Sequence, residues 1–380
     1  MPLRVAHVVR QYHPSVGGME DVVHNLARQQ LLRHQQLPVI LTLDRLFRNA
    51  SETLSPHETV DGIEVIRLPF RGSSRYPICP SVLEHVKNAD IIHVHGIDFF
   101  YDFLAATRFI HGRPMVVSTH GGFFHTRFAS KLKTVYFSTG TRLASLAYER
   151  IVATSHNDAE IFDAIVHPPK KIVIENGVNV ESFANKASRT LSPTLIYFGR
   201  WSENKGIPKT IEFFSRLHAR RPEWNLIIAG REYDYTEAQL RTLVEAHRLA
   251  DSVQLVPSPS KDELASLIGQ ASYFICQSRH EGFGIAPIEA MSAGLTPILS
   301  DIPPFRSLIE QSGVGILLQA ETMDEGVEAL LRLHAQGAEG YALRRNRARA
   351  FADRYDWESI ADKYAAVYRA VIMLKRLRSV

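Results

Sequence analysis

The sequence predicts an α/β protein made of two doubly wound parallel-sheet domains that face a central cleft. Three observations carry this reading. Short apolar, β-branched runs alternate with longer amphipathic segments almost from end to end, which is the pattern of repeated βαβ units. At 380 residues the chain exceeds the size at which one hydrophobic core keeps growing, so two domains are expected. Glycine-bearing turns recur where predicted strands meet predicted helices, at Gly17-Gly18, Gly199-Arg200 and Gly282-Phe283-Gly284.

Predicted strands of the first set span residues 3–9, 39–42, 63–68, 91–95, 115–119 and 151–154, and those of the second set 195–198, 226–229, 253–256, 273–277, 297–300 and 315–318. Between the sets, residues 178–193 carry Asn179, Asn185, Lys186, Ser188 and Ser192 without a strong period and read as a linker. The domains expected are therefore 1–180 and 190–356. A last helix, 357–380, is long enough to cross back toward the N-terminal domain. In tandem doubly wound domains the strand carboxyl ends bind ligands, which places the expected site in the crevice.

Composition narrows the function. With 45% hydrophobic and 22% charged residues the chain is globular rather than disordered or disulfide-stapled. Cys79 and Cys276 lie far apart among apolar neighbours and read as buried thiols, which suits a reducing cytoplasm. The opening residues are too interrupted for a secretory signal, and no run approaches the roughly 18 apolar residues of a membrane span. A net charge of +4 with a pI near 9.0 suits nucleotides, phosphates or an acidic lipid surface, and is too mild for duplex DNA.

The chemistry-bearing residues follow the strands. Gly17 and Gly18 sit between the first strand and a helix, where free helix-start N–H groups can face an anion; a plain strand-to-helix turn is the other reading. Arg200 and Lys205 follow the first strand of the second set. A guanidinium can hold phosphate bidentately and an ammonium as a point charge, although loop cations are often only solvated. The string Arg279-His280-Glu281-Gly282-Phe283-Gly284 then runs into a helix bearing Glu289. Its glycines permit a tight turn aimed at a ligand, and Glu281 and Glu289 can accept hydrogen bonds from sugar and ribose hydroxyls. Taken singly they read equally as a cap and a surface glutamate.

Gly199-Arg200, Lys205 and the spacing Glu281-x7-Glu289 resemble the motif set of the GT-B glycosyltransferases of family 4, and the resemblance spans essentially the whole chain. It implies a GT-B fold, an acceptor-binding N-terminal domain and a nucleotide-sugar-binding C-terminal domain. It further implies that Arg200 and Lys205 neutralise the leaving diphosphate, that Glu281 grips the donor sugar and Glu289 the ribose, and that Gly17 and Gly18 contact phosphate. Gly282, Phe283 and Gly284 complete the donor loop, and His120, which by itself at a strand end reads equally as a structural histidine, becomes by the resemblance the active-site histidine near the donor sugar. Longer strings, among them residues 9–20, 96–102, 118–126, 198–202 and 229–234, resemble the mannosyltransferase branch that acts in exopolysaccharide assembly. That likeness implies GDP-mannose as donor, a polyprenyl-diphosphate-linked cellobiosyl acceptor, and retention of configuration.

Residues 230–234 and 301–305 depart from the wider family in loops bordering the nucleotide. No Asp-x-Asp and no metal-ligand spacing occurs, so the expectation is transfer without a metal or cofactor. Aromatic and basic residues interleave at 123–133, and 374–378 is basic, which suggests peripheral contact with an anionic membrane; solvated helix faces are the alternative. A related hexosyltransferase with another donor, a phosphorylase or epimerase of the same fold, and a non-catalytic sugar-nucleotide-binding protein are the competing classes. The full charged set at 200, 205, 281 and 289 favours transfer.

Overall fold

The computed structural model describes residues 2–378 except Val16, Arg48, Arg75, residues 121–134, Gly282, Ala320 and Glu321. Contacts divide the chain into Met1–Gly177 with Trp357–Val380, and Val178–Asp356.

In the first unit the strands are β1 (Arg4–Val8), β2 (Leu37–Leu43), β3 (Arg45–Leu46), β4 (Asn49–Thr53), β5 (His57–Val60), β6 (Ile63–Leu68), β7 (Arg71–Ser73), β8 (Tyr76–Ile78), β9 (Ile91–His95), β10 (Met115–Ser118), β11 (Arg150–Ala153) and β12 (Lys171–Val173). Eight of them form one sheet in the order β12-β11-β10-β9-β1-β2-β6-β5. All pairs are parallel except β5 with β6. The strand order reverses between β1 and β9, a switch point where loops part and ligands bind in such folds. The short β3–β4 and β7–β8 hairpins, β5 and β12 are not apparent in the sequence, because they lack the apolar run that marks a buried strand.

Helix α1 (Gly18–Arg33) buries Val22, Val23, Leu26 and Ala27 on one stripe. Two shorter helices follow strand ends, α2 (Phe99–Ala106) after β9 and α3 (His156–Asp163) after β11. In the second unit α4 (Ile207–Arg220) and α5 (Ile285–Ala293) flank a six-stranded sheet of β13 (Thr194–Phe198), β14 (Asn225–Gly230), β15 (Val253–Pro257), β16 (Tyr273–Cys276), β17 (Thr296–Ser300) and β18 (Ile316–Leu318). Its order is β15-β14-β13-β16-β17-β18, wholly parallel, with the reversal between β13 and β16. Both strand sets match the alternation read from the sequence.

Residues 178–193 are a correction to that reading. They are not a free linker: Val178, Val180, Phe183 and Ala187 are buried in the second unit's core. The Val178 N–H donates to the Tyr355 carbonyl at 2.7 Å, and the Ser188 N–H to Ala271 at 3.1 Å. Polar residues between those anchors conceal them in a composition reading. The last helix, α6 (Trp357–Arg378), belongs to the first unit, where Ile360, Ala361, Tyr364, Tyr368 and Val371 pack with Val5, Leu26, Ile91 and Val116. Among the described residues no helix is long and apolar enough to cross a membrane.

A polar layer lies inside the first unit. The two-residue period of β9 turns His93 and His95 to one face, while register sets His7 beside His93 and Ser118 beside His95. His7 Nδ1 meets His95 Nε2 at 2.9 Å, and His7 Nε2 meets Gln30 Oε1 of α1 at 2.8 Å. His93 lies 2.7 Å from the Tyr368 hydroxyl and 2.8 Å from Ser118 Oγ, which in turn lies 2.9 Å from the Tyr364 hydroxyl. Burial holds His7 down to about 4 and His93 and His95 well below the usual imidazole range, the neighbouring rings adding to the effect for the latter two.

Rings kept neutral when folded but free to charge when unfolded make stability fall as pH drops from about 6.5 toward 4. Raised carboxyls such as Asp98 act in the opposite sense, so a paired comparison isolates the rings. In denaturant melts between pH 6.5 and 4.5, His93→Phe should show a stability slope shallower than the parent by roughly 1.4 kcal/mol per pH unit. Equal slopes would mean that His93 charges in the folded chain.

Candidate active site

Arg200, Lys205 and Glu281 lie in the loops where the second sheet reverses. β13 ends at Phe198 and passes into Gly199-Arg200, and its neighbour β16 ends at Cys276 and passes into the loop carrying Glu281. Lys205 Nζ donates to Glu281 Oε1 at 2.6 Å, and Ser278 Oγ donates to the same oxygen at 2.6 Å. Both charged side chains are less than one-fifth exposed. Glu281 Oε2 has no hydrogen-bond partner among the described residues, so this oxygen is free to accept from a ligand hydroxyl, and the ammonium keeps two further N–H donors.

Two backbone approaches hold the loops in place. Gly206, at φ 65°, comes so near the Gln277 carbonyl that a Cβ would lie 2.0 Å from its oxygen. Gly230, at φ 151°, lies against Gly199, where a Cβ would be 1.7 Å from the carbonyl oxygen. No other residue type fits either position. Asn204 then stitches the loops together, its amide donating to the His280 carbonyl at 2.8 Å and its Oδ1 accepting from the His280 N–H at 3.1 Å.

Arg200 is exposed and has no carboxylate partner among the described residues. Its guanidinium stands over the Tyr233 ring at 5.3 Å, and its carbonyl accepts from the Tyr197 hydroxyl at 2.7 Å. Tyr233 belongs to the 230–234 loop, whose departure from the family pattern thus supplies the surface on which Arg200 rests. Asp234 accepts from the Glu203 N–H at 2.8 Å and ties that loop to the one bearing Lys205.

Gly284, at φ 97°, is the residue that precedes helix α5; among the described residues no side chain caps the helix and no acid lies in its first turn. Its leading N–H groups and positive dipole end are therefore available to an anion. Phe283 packs its ring 5.5 Å from Tyr355, and Gly282 lies outside the described residues. The Glu289 carboxylate, on α5, has no hydrogen bond or ion pair among the described residues, and burial alone pushes it up to about 7.

His120, Gly17 and Gly18 belong to the first unit. His120 follows β10 with φ 47°, a left-handed conformation that costs energy for a residue with a Cβ and tends to mark functional positions. Its Nε2 meets His95 Nδ1 at 3.0 Å, and burial holds the ring down to about 4 against the raising influence of Asp158. Thr119 Oγ1 donates to Asp158 at 2.8 Å, so α3 anchors the turn. Gly17 precedes α1, and a Cβ there would lie 2.6 Å from the Glu20 carboxylate, whereas Gly18 faces open space. That carboxylate, which also accepts from Ser15 Oγ at 2.9 Å, stands beside the turn where the sequence expects phosphate contact. Among the described residues no hydrogen bond joins the two glycines to His120.

The structure adds residues that the motif reading passes over: Ser278, Asn204, Gln30, His7, His95, and the Arg10–Asp98 pair at 2.9 Å beside the first switch point. His93-x-His95 was the one signal available, since alternate histidines on a strand share a face.

With this geometry in view, comparisons with known proteins assign the family. A family model described as glycosyl transferases group 1 matches residues 178–354, and one described as glycosyltransferase family 4 matches residues 16–182. The GDP-mannose:cellobiosyl-diphosphopolyprenol alpha-mannosyltransferase of Xanthomonas campestris is 50% identical over 370 residues, covering 97% of each chain. The protein of the same name from Komagataeibacter xylinus is 43% identical over 371 residues, covering 97% of this chain and 94% of that one. Among solved structures, a glycosyltransferase from Rickettsia africae ESF-5 superposes with a TM-score of 0.75 at 17% identity, covering 98% of this chain and 99% of that one. Such distant structural matches speak for the fold alone. Taken with the near full-length relatives, they establish that the chain belongs to the GT-B glycosyltransferases of family 4.

Proposed function

We propose that the chain is a retaining mannosyltransferase that moves an α-mannosyl unit from GDP-mannose to cellobiosyl-diphosphopolyprenol in exopolysaccharide assembly. Donor and acceptor are those in the names of the 43–50% identical relatives. The observation that carries the reading is the Lys205–Glu281 pair at the sheet reversal, with Glu281 Oε2 left for a sugar hydroxyl.

On this reading the second unit binds the donor and the first the acceptor. Lys205, Arg200 and the uncapped start of α5 stabilise charge that develops on the leaving diphosphate, in surroundings where fixed dipoles act more strongly than in water. The bond from C1 to the β-phosphate oxygen breaks, the acceptor oxygen bonds C1 on the same face, and the acceptor proton passes to the departing phosphate oxygen. GDP leaves with that proton. Because these cations and N–H groups supply the positive charge, the proposal includes no divalent metal or other cofactor. Glu281 holds the mannosyl group, Glu289 the ribose hydroxyls, and His120 assists at the sugar.

The proposal extends to the inner face of the cell membrane, with peripheral contact to anionic lipid. Phe109, Leu143, Leu146 and Leu377 are each more than three-fifths exposed on the first unit. Leu146 and Leu374 line one cavity together with Arg108 and Lys170, so apolar and basic groups adjoin there. Lys375 is held by the Gly112 carbonyl at 3.0 Å, and the aromatic and basic stretch 123–133 lies outside the described residues.

Three measurements test these readings. With chelator present and membrane extract as acceptor, label should enter the lipid fraction from GDP-mannose alone among a panel of nucleotide sugars. Glu281→Ala should then lower the rate by roughly 100-fold or more. Transfer from a different sugar nucleotide would discard mannose, and donor binding without turnover would point to a binding protein. If the Glu289 carboxylate accepts from ribose, donor affinity should rise as pH rises through about 7, the value to which burial lifts it, and Glu289→Gln should flatten the dependence. A wild-type donor affinity that is level across that range would remove the carboxylate from the donor site. In flotation with phosphatidylglycerol vesicles, the double substitution Phe109→Asp and Leu143→Asp should abolish co-flotation, and undiminished binding would exclude these two side chains from the lipid contact.

A further inference from the structure

The polar layer of the first unit ends at His120. From Gln30 an unbroken line of hydrogen bonds runs through His7 and His95 to His120, with successive separations of 2.8, 2.9 and 3.0 Å. Neighbouring rings along it stack, His7 on His95 at 5.2 Å and His95 on His120 at 5.3 Å. His7 and His95 are wholly buried, and each uses both ring nitrogens within the line. A cluster of three histidines, His7, His93 and His95, invites a metal reading. Against it, His7 and His95 spend ring nitrogens on each other, and His93 is bonded on both sides by Tyr368 and Ser118.

In a neutral imidazole one nitrogen donates and the other accepts, so a line of neutral rings must point one way. Its direction is set by the single member with a fixed donor end and a fixed acceptor end, the amide of Gln30. Its Oε1 can only accept, so His7 carries its proton on Nε2 and accepts at Nδ1. His95 must then donate from Nε2 and accept at Nδ1, and His120 must donate inward from Nε2. The second arm agrees. Gln30 Nε2 donates to the Tyr368 hydroxyl at 3.3 Å, which leaves that phenol to donate to His93 Nδ1 at 2.7 Å, the sense suited to the more acidic O–H. Turning the amide by half a revolution would reverse every link and move the proton of His120 to Nδ1.

We propose that Gln30, His7 and His95 are positioning residues that fix His120 as the Nε2–H tautomer, leaving its Nδ1 as a pure hydrogen-bond acceptor for a ligand hydroxyl. The tautomer stands on the hydrogen-bond line alone; its use at the donor sugar rests on the transferase reading above. It follows that the hydroxyl facing His120 donates to it, and that a donor sugar lacking that hydroxyl leaves the lone pair unmatched.

Long-range proton–nitrogen correlation spectra of the full chain labelled with 15N-histidine, near pH 7.5, read the tautomers directly. His7, His95 and His120 should all be neutral with the proton on Nε2. In Gln30→Met, which removes the fixed acceptor, proton density at His120 should move toward Nδ1, and kcat should fall roughly tenfold or more while donor KM changes little. Gln30→Glu, whose carboxylate again accepts from His7, should restore both the tautomer and most of kcat; a residue needed only for packing would give no such paired recovery. An Nδ1–H His120 in the wild type overturns the proposal even if the variants fail to fold. So does an unchanged tautomer and kcat in Gln30→Met. Wild-type tautomers as expected, with no transfer from any sugar nucleotide, would instead sink the transferase reading and leave the relay standing.

Discussion

The charged site of the second unit depends on one close approach of backbone to backbone. Gly206 lies so near the Gln277 carbonyl that any side chain would enter it, and this closeness lets the 203–206 loop rest on the 277–281 loop. Asn204 can then bond His280 in both directions, and Lys205 comes within 2.6 Å of Glu281. A lysine–glutamate pair on an open surface contributes little, because water competes and two long side chains must be ordered. Here the backbone fixes the loops, the pair is largely shielded, and Ser278 takes a share of the same carboxylate oxygen. The charges are thereby held in place before any ligand arrives, which is the condition under which fixed charge aids a reaction.

Sheet topology decides where this happens. A parallel sheet whose strand order reverses must send the loops after two adjacent strands in opposite directions, and each unit contains one such place. In the second unit β13 and β16 flank it and deliver Arg200, Lys205 and Glu281; in the first, β1 and β9 flank it and deliver Arg10 and Asp98. The Gly199–Gly230 contact adds a third strand end, bringing Tyr233 under the Arg200 guanidinium. Among the described residues Arg200 has no carboxylate partner while resting on an aromatic face, a state in which it keeps its charge and its donors for an anion.

The first unit addresses the opposite difficulty, polar groups in a place without water. Three imidazoles, those of His7, His93 and His95, with a glutamine amide, a serine and two phenols, would each carry a heavy penalty if buried singly. Linked, each finds a partner, and the helices that cover the layer, α1 and α6, supply the terminal groups Gln30, Tyr364 and Tyr368. Such a layer specifies packing more sharply than an apolar one, because a shifted helix would leave donors and acceptors unmatched. The helix that returns to this unit after the second sheet is therefore fastened by polar bonds as well as by Ile360, Ala361 and Val371.

Much of this was legible beforehand. The alternation of apolar runs and amphipathic stretches locates the strands of both sheets, because periodicity is a local property of the chain, and the spacing of Gly199, Arg200, Lys205 and Glu281 singles out the loops that meet at the second sheet's reversal. The sequence also marked the 178–193 stretch as polar, correctly as composition and wrongly as a linker, since burial of Val178, Val180 and Phe183 depends on what packs over them. Tertiary structure alone decided which groups meet. Period and spacing tell on which face a side chain lies, but its partner is chosen by strand order, register and the covering helix. Thus Glu281 could be read as a ligand group, but not that Ser278 and Lys205 share one of its oxygens; His120 could be singled out, but not that Gln30, 90 positions earlier in the chain, stands at the far end of its hydrogen-bond line.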